Sequence, residues 1–268
     1  MIEARNKPVS RIVLQAGIPV IFTCLLLPLT FLIPLLDSTT APYFDLTQPF
    51  SQIAYWLSFS GGTMGAPFVI LLMLLLLVTR AGIAAQQRWK EACIIVVITA
   101  IFAGGGAAFN EHIIKAELKL PRPNIVWLAD SDSLNMSDEA FYAIGDKEAR
   151  RVPLTRALSS EPIALSPRIK AHWIEETGYS FPSGHAFSAM FIATFFLMLA
   201  NTLITSKRRW LFYALLPWAL AVCYSRPILR VHTPFDITVG GFQGLVLGFV
   251  AWLIARWLII KFSSTEVE

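Results

Sequence analysis

Tyr224-Ser-Arg-Pro-Ile-Leu-Arg-Val-His-Thr-Pro-Phe-Asp236 separates two apolar runs, 210–224 and 235–260. Both runs read as transmembrane helices, so the stretch between them should be a plain turn at a bilayer surface. Instead it carries Arg226, Arg230, His232 and Asp236. His232 and Asp236 are four residues apart and share a face if the next helix begins here. A carboxylate beside an imidazole fixes its tautomer and makes it a better base or nucleophile. The arginines point to an anionic partner.

The rest of the chain supports the membrane reading. Of its 268 residues, 55% are hydrophobic and only 15% charged, well below the quarter or so charged in soluble domains. The predicted class is all-α: a polytopic six-helix membrane bundle forming one domain over 1–268, with a loop region of about 115–181 containing short helices. A soluble enzyme is excluded. The net charge of +4 says little alone, because the basic residues cluster by loop. Cys24, Cys93 and Cys223 are too dispersed for a zinc-type site and read as small apolar packing residues.

The first span is Ile12–Leu36, too long for a cleaved signal's apolar core, with Pro19, Pro28 and Pro34 expected to kink or end it. Residues 37–62 contain no Lys or Arg and six aromatics, among them Tyr43, Phe44, Tyr55, Trp56 and Phe59, as befits an outer interfacial belt. The second span is expected at 63–79 and the third at 92–114. Within the third, Gly104–Gly106 would admit a close neighbour. The fourth, fifth and sixth are expected at 186–205, 210–224 and 235–260. Gly240, Gly244 and Gly248 form a small-residue face suited to packing within the bundle. In the polar segment, Ser166-Pro167 should open a helix running to Thr177, and Asn135 or Ser137 should cap another through Ile144. Basic residues collect at the N-terminus, 80–90, 207–209 and the C-terminus. The positive-inside rule therefore places both termini in the cytoplasm, and 115–181 with 224–236 outside.

Three polar clusters then meet at one face: Lys115 to Arg122-Pro123, Phe181-Pro182-Ser183-Gly184-His185, and Ser225-Arg226 with His232 and Asp236. Lys115, Arg122 and Arg226 suffice to hold a dianionic phosphate. Ser183 and the backbone N–H groups of 183–185 sit at a helix start, where anions are favoured. Two histidines suit a divided task, with His232 beside Asp236 as nucleophile and His185 as acid. A metal held by His185, His232 and Asp236 is the rival reading, and the surrounding cations disfavour it.

These motifs, K-x6-R-P, P-S-G-H and S-R-x5-H-x3-D, resemble the three-part signature of the type 2 phosphatidic acid phosphatase superfamily. The resemblance implies a phosphohistidine on His232, Asp236 as its partner, His185 as acid, and no metal or other cofactor. It implies phosphate binding by Lys115, Arg122, Ser183, Gly184 and Arg226. Arg230 falls at a variable position. The flanking segments 122–128 (R-P-N-I-V-W-L) and 172–181 (H-W-I-E-E-T-G-Y-S-F) are similar to those of the bacterial B-type phosphatidylglycerophosphatases. That likeness implies a bacterial inner-membrane enzyme with its site at the periplasmic face. Its implied substrates are phosphatidylglycerophosphate and also undecaprenyl diphosphate, phosphatidic acid and diacylglycerol diphosphate. Glu176 lies in the matching stretch, as a contact to substrate or His185 or as a solvated helix end. The expected partners are lipid phosphates in the bilayer, with no nucleic acid and no protein partner evident. A lipid phosphotransferase shares the first half-reaction, and a non-catalytic lipid binder or transporter would need eroded catalytic residues, whereas none is missing.

Overall fold

The computed structural model describes residues 7–35, 46–160 and 163–264; Arg5, Tyr43 and Phe44 lie outside them, as does the Pro34 side chain. Among the described residues every regular element is helical. The span helices are α1 (Val9–Phe31), the bent pair α2 (Pro49–Gly61) and α3 (Ala66–Val78), α4 (85–118), α9 (Gly184–Leu203), α10 (Lys207–Ile228) and α11 (Pro234–Ser264). Between α4 and α9 come α5 (Pro123–Asp130), α6 (Asp138–Ala143), α7 (Lys147–Ser160) and α8 (Pro167–Glu175). The chain is an all-α polytopic membrane protein.

α9 is the axis of the bundle and is buried along almost its whole length. The glycines of α11 let it lie directly against α9. A Cβ on Gly240 would stand 2.5 Å from the Ser183 carbonyl oxygen, and one on Gly244 2.3 Å from that of Phe187. The expected small-residue face therefore packs inside the bundle. Of the Gly104–Gly106 run only Gly106 fills that role, against Phe187; Gly104 and Gly105 face open space. The prolines act on α1 as expected: a π turn (Val13–Gly17) precedes Pro19, and Pro28 lies in a 3-10 turn (Leu27–Phe31). Cys24 and Cys223 are buried, but Cys93 is exposed.

The second span differs from expectation. α2 and α3 are 13 residues each, about 20 Å apiece, short of the ~30 Å apolar layer. They are joined through a 62° bend. The aromatic segment read as an interfacial belt is thus largely helix α2, whose Ala54 and Ser58 are buried while Phe50, Trp56 and Phe59 stay exposed. Gly62 and Gly65 flank the bend, and the continuous apolar and aromatic run at 53–57 hid the helical period of α2.

The long polar segment is a helical cap with its own core: Leu128, Phe141, Leu154, Ile169 and Trp173 close over Leu229 and Val231 from the 224–236 turn. Ser137 caps α6 by accepting from Ala140 N. α8 begins at Pro167 but stops at Glu175, two residues early. Ser166 Oγ accepts from Gln52 Nε2 rather than capping.

The two ends of the bundle are chemically distinct. At one, Lys7 donates to Asn201 O (2.8 Å), Arg256 to Lys7 O, and Arg208 to Thr79 O. At the other lie the C-terminal ends of α4 and α10 and the N-terminal ends of α9 and α11, with the cap above them.

Candidate active site

The 232–236 turn is built around one carboxylate. Thr233 opens α11, and its hydroxyl accepts from Asp236 N (3.2 Å) while Asp236 Oδ2 accepts from Thr233 N (2.8 Å), a reciprocal cap that fixes the carboxylate. The same oxygen accepts from Ser180 Oγ (2.8 Å) and from His232 Nδ1 (3.2 Å). On the other side of the ring, Arg122 Nη1 lies 3.2 Å from His232 Nε2. A guanidinium only donates, so Nε2 accepts and the proton sits on Nδ1, facing Asp236. Burial, then Arg122, push the imidazole pKa down to about 3. His232 is therefore neutral at ordinary pH, with the Nε2 lone pair directed at the cation cluster.

Arg122 is held by Gly178 O at Nε (2.8 Å) and Val231 O at Nη1 (2.9 Å). Arg226 is wholly buried. Its Nη1 donates to Ser58 Oγ and to His172 Nε2, and its Nε has no partner among the described residues. Burial, then Arg226, lower His172 to about 4, so it too is a neutral acceptor. Glu176 bridges the arginines: Oε1 lies 2.6 Å from Arg226 Nη2 and Oε2 2.7 Å from Arg122 Nη2. Burial opposes ionisation of Glu176, but Arg122 and then Arg226 outweigh it and hold the carboxyl well below the usual range. The solvated-helix-end alternative fails, because α8 stops before Glu176 and the chain turns it inward.

Lys115 is buried and paired with Glu111 Oε2 at 2.9 Å, and Glu111 also pairs with Lys147 of the cap. Ser183 caps α9 through Ala186 N. Its own N–H is taken by Asp236 O (3.0 Å), so the expectation that all three N–H groups of 183–185 face an anion needs correction. Those of Gly184 and His185 have no partner among the described residues, and the space beside Gly184 is open for at least 4 Å. The His185 ring likewise has no hydrogen-bond partner among the described residues, and its Nε2 faces Gly62. Arg230 stacks over Trp127 instead of joining the cluster.

Sequence reasoning missed Ser58, Glu111, His172, Ser180 and Thr233. Thr233 had a readable signal in the T-x-x-D cap and Glu111 in its i,i+4 spacing to Lys115; Ser58, His172 and Ser180 are placed by tertiary contacts.

Residues 91–260 match the model of the PAP2 superfamily. The chain belongs to that superfamily. It is 33% identical over 144 residues to phosphatidylglycerophosphatase B of Escherichia coli (strain K12), covering 53% of this chain and 54% of the relative. It is 33% identical over 92 residues to an undecaprenyl-diphosphatase of Sulfolobus acidocaldarius, covering 34% and 35%. It is 31% identical over 87 residues to a lipid A 4'-phosphatase of Bacteroides thetaiotaomicron, covering 32% and 36%. The chain thus spans about half the length, or less, of these curated relatives.

Proposed function

We propose that this PAP2 chain is a membrane lipid phosphatase that hydrolyses phosphatidylglycerophosphate to phosphatidylglycerol. It also accepts undecaprenyl diphosphate, phosphatidic acid and diacylglycerol diphosphate. The observation that carries the reading is the polarity of His232: Nδ1–H on Asp236, Nε2 lone pair beside Arg122. Nε2 attacks phosphorus, and the P–O bond to the lipid breaks. His185 gives its proton to the departing oxygen, leaving phosphohistidine. A water molecule then loses a proton to His185 and attacks phosphorus, returning neutral His232 and free phosphate. Asp236 balances the positive charge that His232 acquires.

Phosphate oxygens take the places at Arg122 and Arg226 that Glu176 occupies, together with Arg226 Nε, Lys115, Ser183 and the N–H of Gly184. Glu176 is accordingly a competitor of the phosphate as well as its neighbour. The cations neutralise the phosphate, so the reaction requires no metal.

A lipid substrate is favoured by the groove of about 510 Å³ between α4 and α11, lined by Gly105, Gly106, Phe109, Phe242, Val246 and Leu247 with Gln243. These residues lie 6–11 positions from Lys115 and Asp236, roughly 9–16 Å along the helices. That is the depth of acyl chains whose head group reaches the site. The basic end opposite the site supports cytoplasmic termini and a periplasmic site in a bacterial inner membrane. The test is phosphate release from the four lipids by the purified chain, with and without chelator. Turnover that persists in chelator is expected. Absence of release from all four lipids would overturn the reading.

A further inference from the structure

The matched family segment begins at Glu91, yet the bend between α2 and α3, upstream of it, touches two groups of the site. On one side of the bend, Ser58 Oγ accepts from Arg226 Nη1. Arg226 Nη2 meets Glu176, and the adjoining Nε is unpartnered. Ser58 therefore pins the inner corner of the guanidinium and leaves the Nε–Nη2 edge, the side-on pair suited to two phosphate oxygens, toward the site. On the other side, a Cβ at Gly62 would lie 2.6 Å from His185 Nε2. That is closer than real carbon contacts come, so a side chain at 62 would push the His185 ring from its place. The bend is itself locked to the bundle: Ser188 Oγ donates to Gly61 O (2.8 Å) and Trp218 Nε1 to Ser60 Oγ (2.9 Å).

Resting on the reading above, we propose that the α2–α3 bend is a positioning element of the active site. Gly62 leaves His185 Nε2 free to reach the leaving oxygen, and Ser58 aims Arg226 at the phosphate. Neither residue touches the reacting atoms; each acts through the side chain it borders. The two effects belong to different stages. Misplacing His185 harms departure of a poor leaving group such as a lipid alkoxide. It matters far less for p-nitrophenolate, which departs without protonation. Loosening Arg226 weakens every phosphate alike.

The experiment measures kcat and KM on short-chain phosphatidic acid and on p-nitrophenyl phosphate, and inhibition by inorganic phosphate. It uses the full chain in detergent. Gly62→Ala is expected to lower kcat/KM, which reports the steps through departure of the leaving group, ~100-fold on phosphatidic acid while changing that on the aryl phosphate only a few-fold, with phosphate inhibition unchanged. Ser58→Ala is expected to raise both KM values and the phosphate inhibition constant about tenfold; Ser58→Thr, which keeps the hydroxyl, restores them. Equal loss on both substrates in Gly62→Ala, or no loss, overturns the Gly62 role, and unchanged phosphate inhibition in Ser58→Ala overturns the Ser58 role. His185→Ala in the same assay separates the two failures. If it shows no preference for the aryl phosphate, the acid role in the proposed function falls. If it shows that preference and Gly62→Ala does not, only the present inference falls.

Discussion

The two histidines of the site are held in opposite ways. His232 is buried, its Nδ1 on Asp236 and its Nε2 beside Arg122. The carboxylate behind it is tied to Ser180 and Thr233. The His185 ring has no such partner among the described residues and borders the bare backbone of Gly62. A nucleophile must arrive at phosphorus along one line, and fixing it in advance removes that entropy from the barrier. A proton donor meets leaving groups of several shapes and then turns to water, so a fixed partner would compete with both. In the proposed mechanism the asymmetry suits a fixed nucleophile beside an acid that meets two partners in turn.

The comparison breaks most completely at His232. His232→Ala should lower lipid-phosphate turnover by roughly 10⁴-fold or more, measured as phosphate release. Asp236→Asn should follow at about 10³-fold. It keeps the shape and, because the Thr233 N–H on the same oxygen can only donate, keeps an oxygen toward His232, but it removes the charge that balances the imidazolium. An Asp236→Asn protein with wild-type kcat would show that the carboxylate charge is irrelevant.

Glu176 sharpens the contrast on the phosphate side. Glu176→Gln removes the anion that bridges the two arginines, and inorganic phosphate should then inhibit about tenfold more tightly. Weaker inhibition in Glu176→Gln would mean that the carboxylate organises the arginines more than it opposes phosphate.

The smallest effect concerns pH. His232 and His172 have folded pKa values of about 3 and about 4, against 6.5 unperturbed. Below 6.5 the unfolded chain takes up protons that the folded chain refuses, so stability is fully present above pH 6.5 and is lost as pH falls toward 4 and 3. Thermal melting in detergent should shift downward by several degrees between pH 7 and pH 5. His172→Gln should flatten that slope by removing one of the two groups.

The sequence made the halves of the site unequally legible. His232 and Asp236 are neighbours on one helix start, so spacing alone assigned their relation. Lys115, Arg122 and Arg226 were legible as cations at helix ends, because charge at membrane depth is costly. The partners of those cations were not legible. Ser58 is 168 residues from Arg226 and sits on a helix whose period is masked by aromatics. Glu176 turns inward only because α8 stops at Glu175, and helix ends are the least determined feature of a pattern. The bundle itself was readable from apolar length, except at the bent pair α2 and α3, two short helices that each fall below that length.

The covalent intermediate tests the account most directly. Brief exposure of the His185→Ala chain to p-nitrophenyl phosphate, whose leaving group departs without a proton, followed by an alkaline quench that preserves P–N bonds and peptide mass spectrometry, should find one phosphoryl group on His232, lost on acid treatment. The His232→Ala chain should carry none. A phosphoryl group on another residue, or turnover in the wild-type chain with no adduct at any time, would contradict the central role assigned to His232.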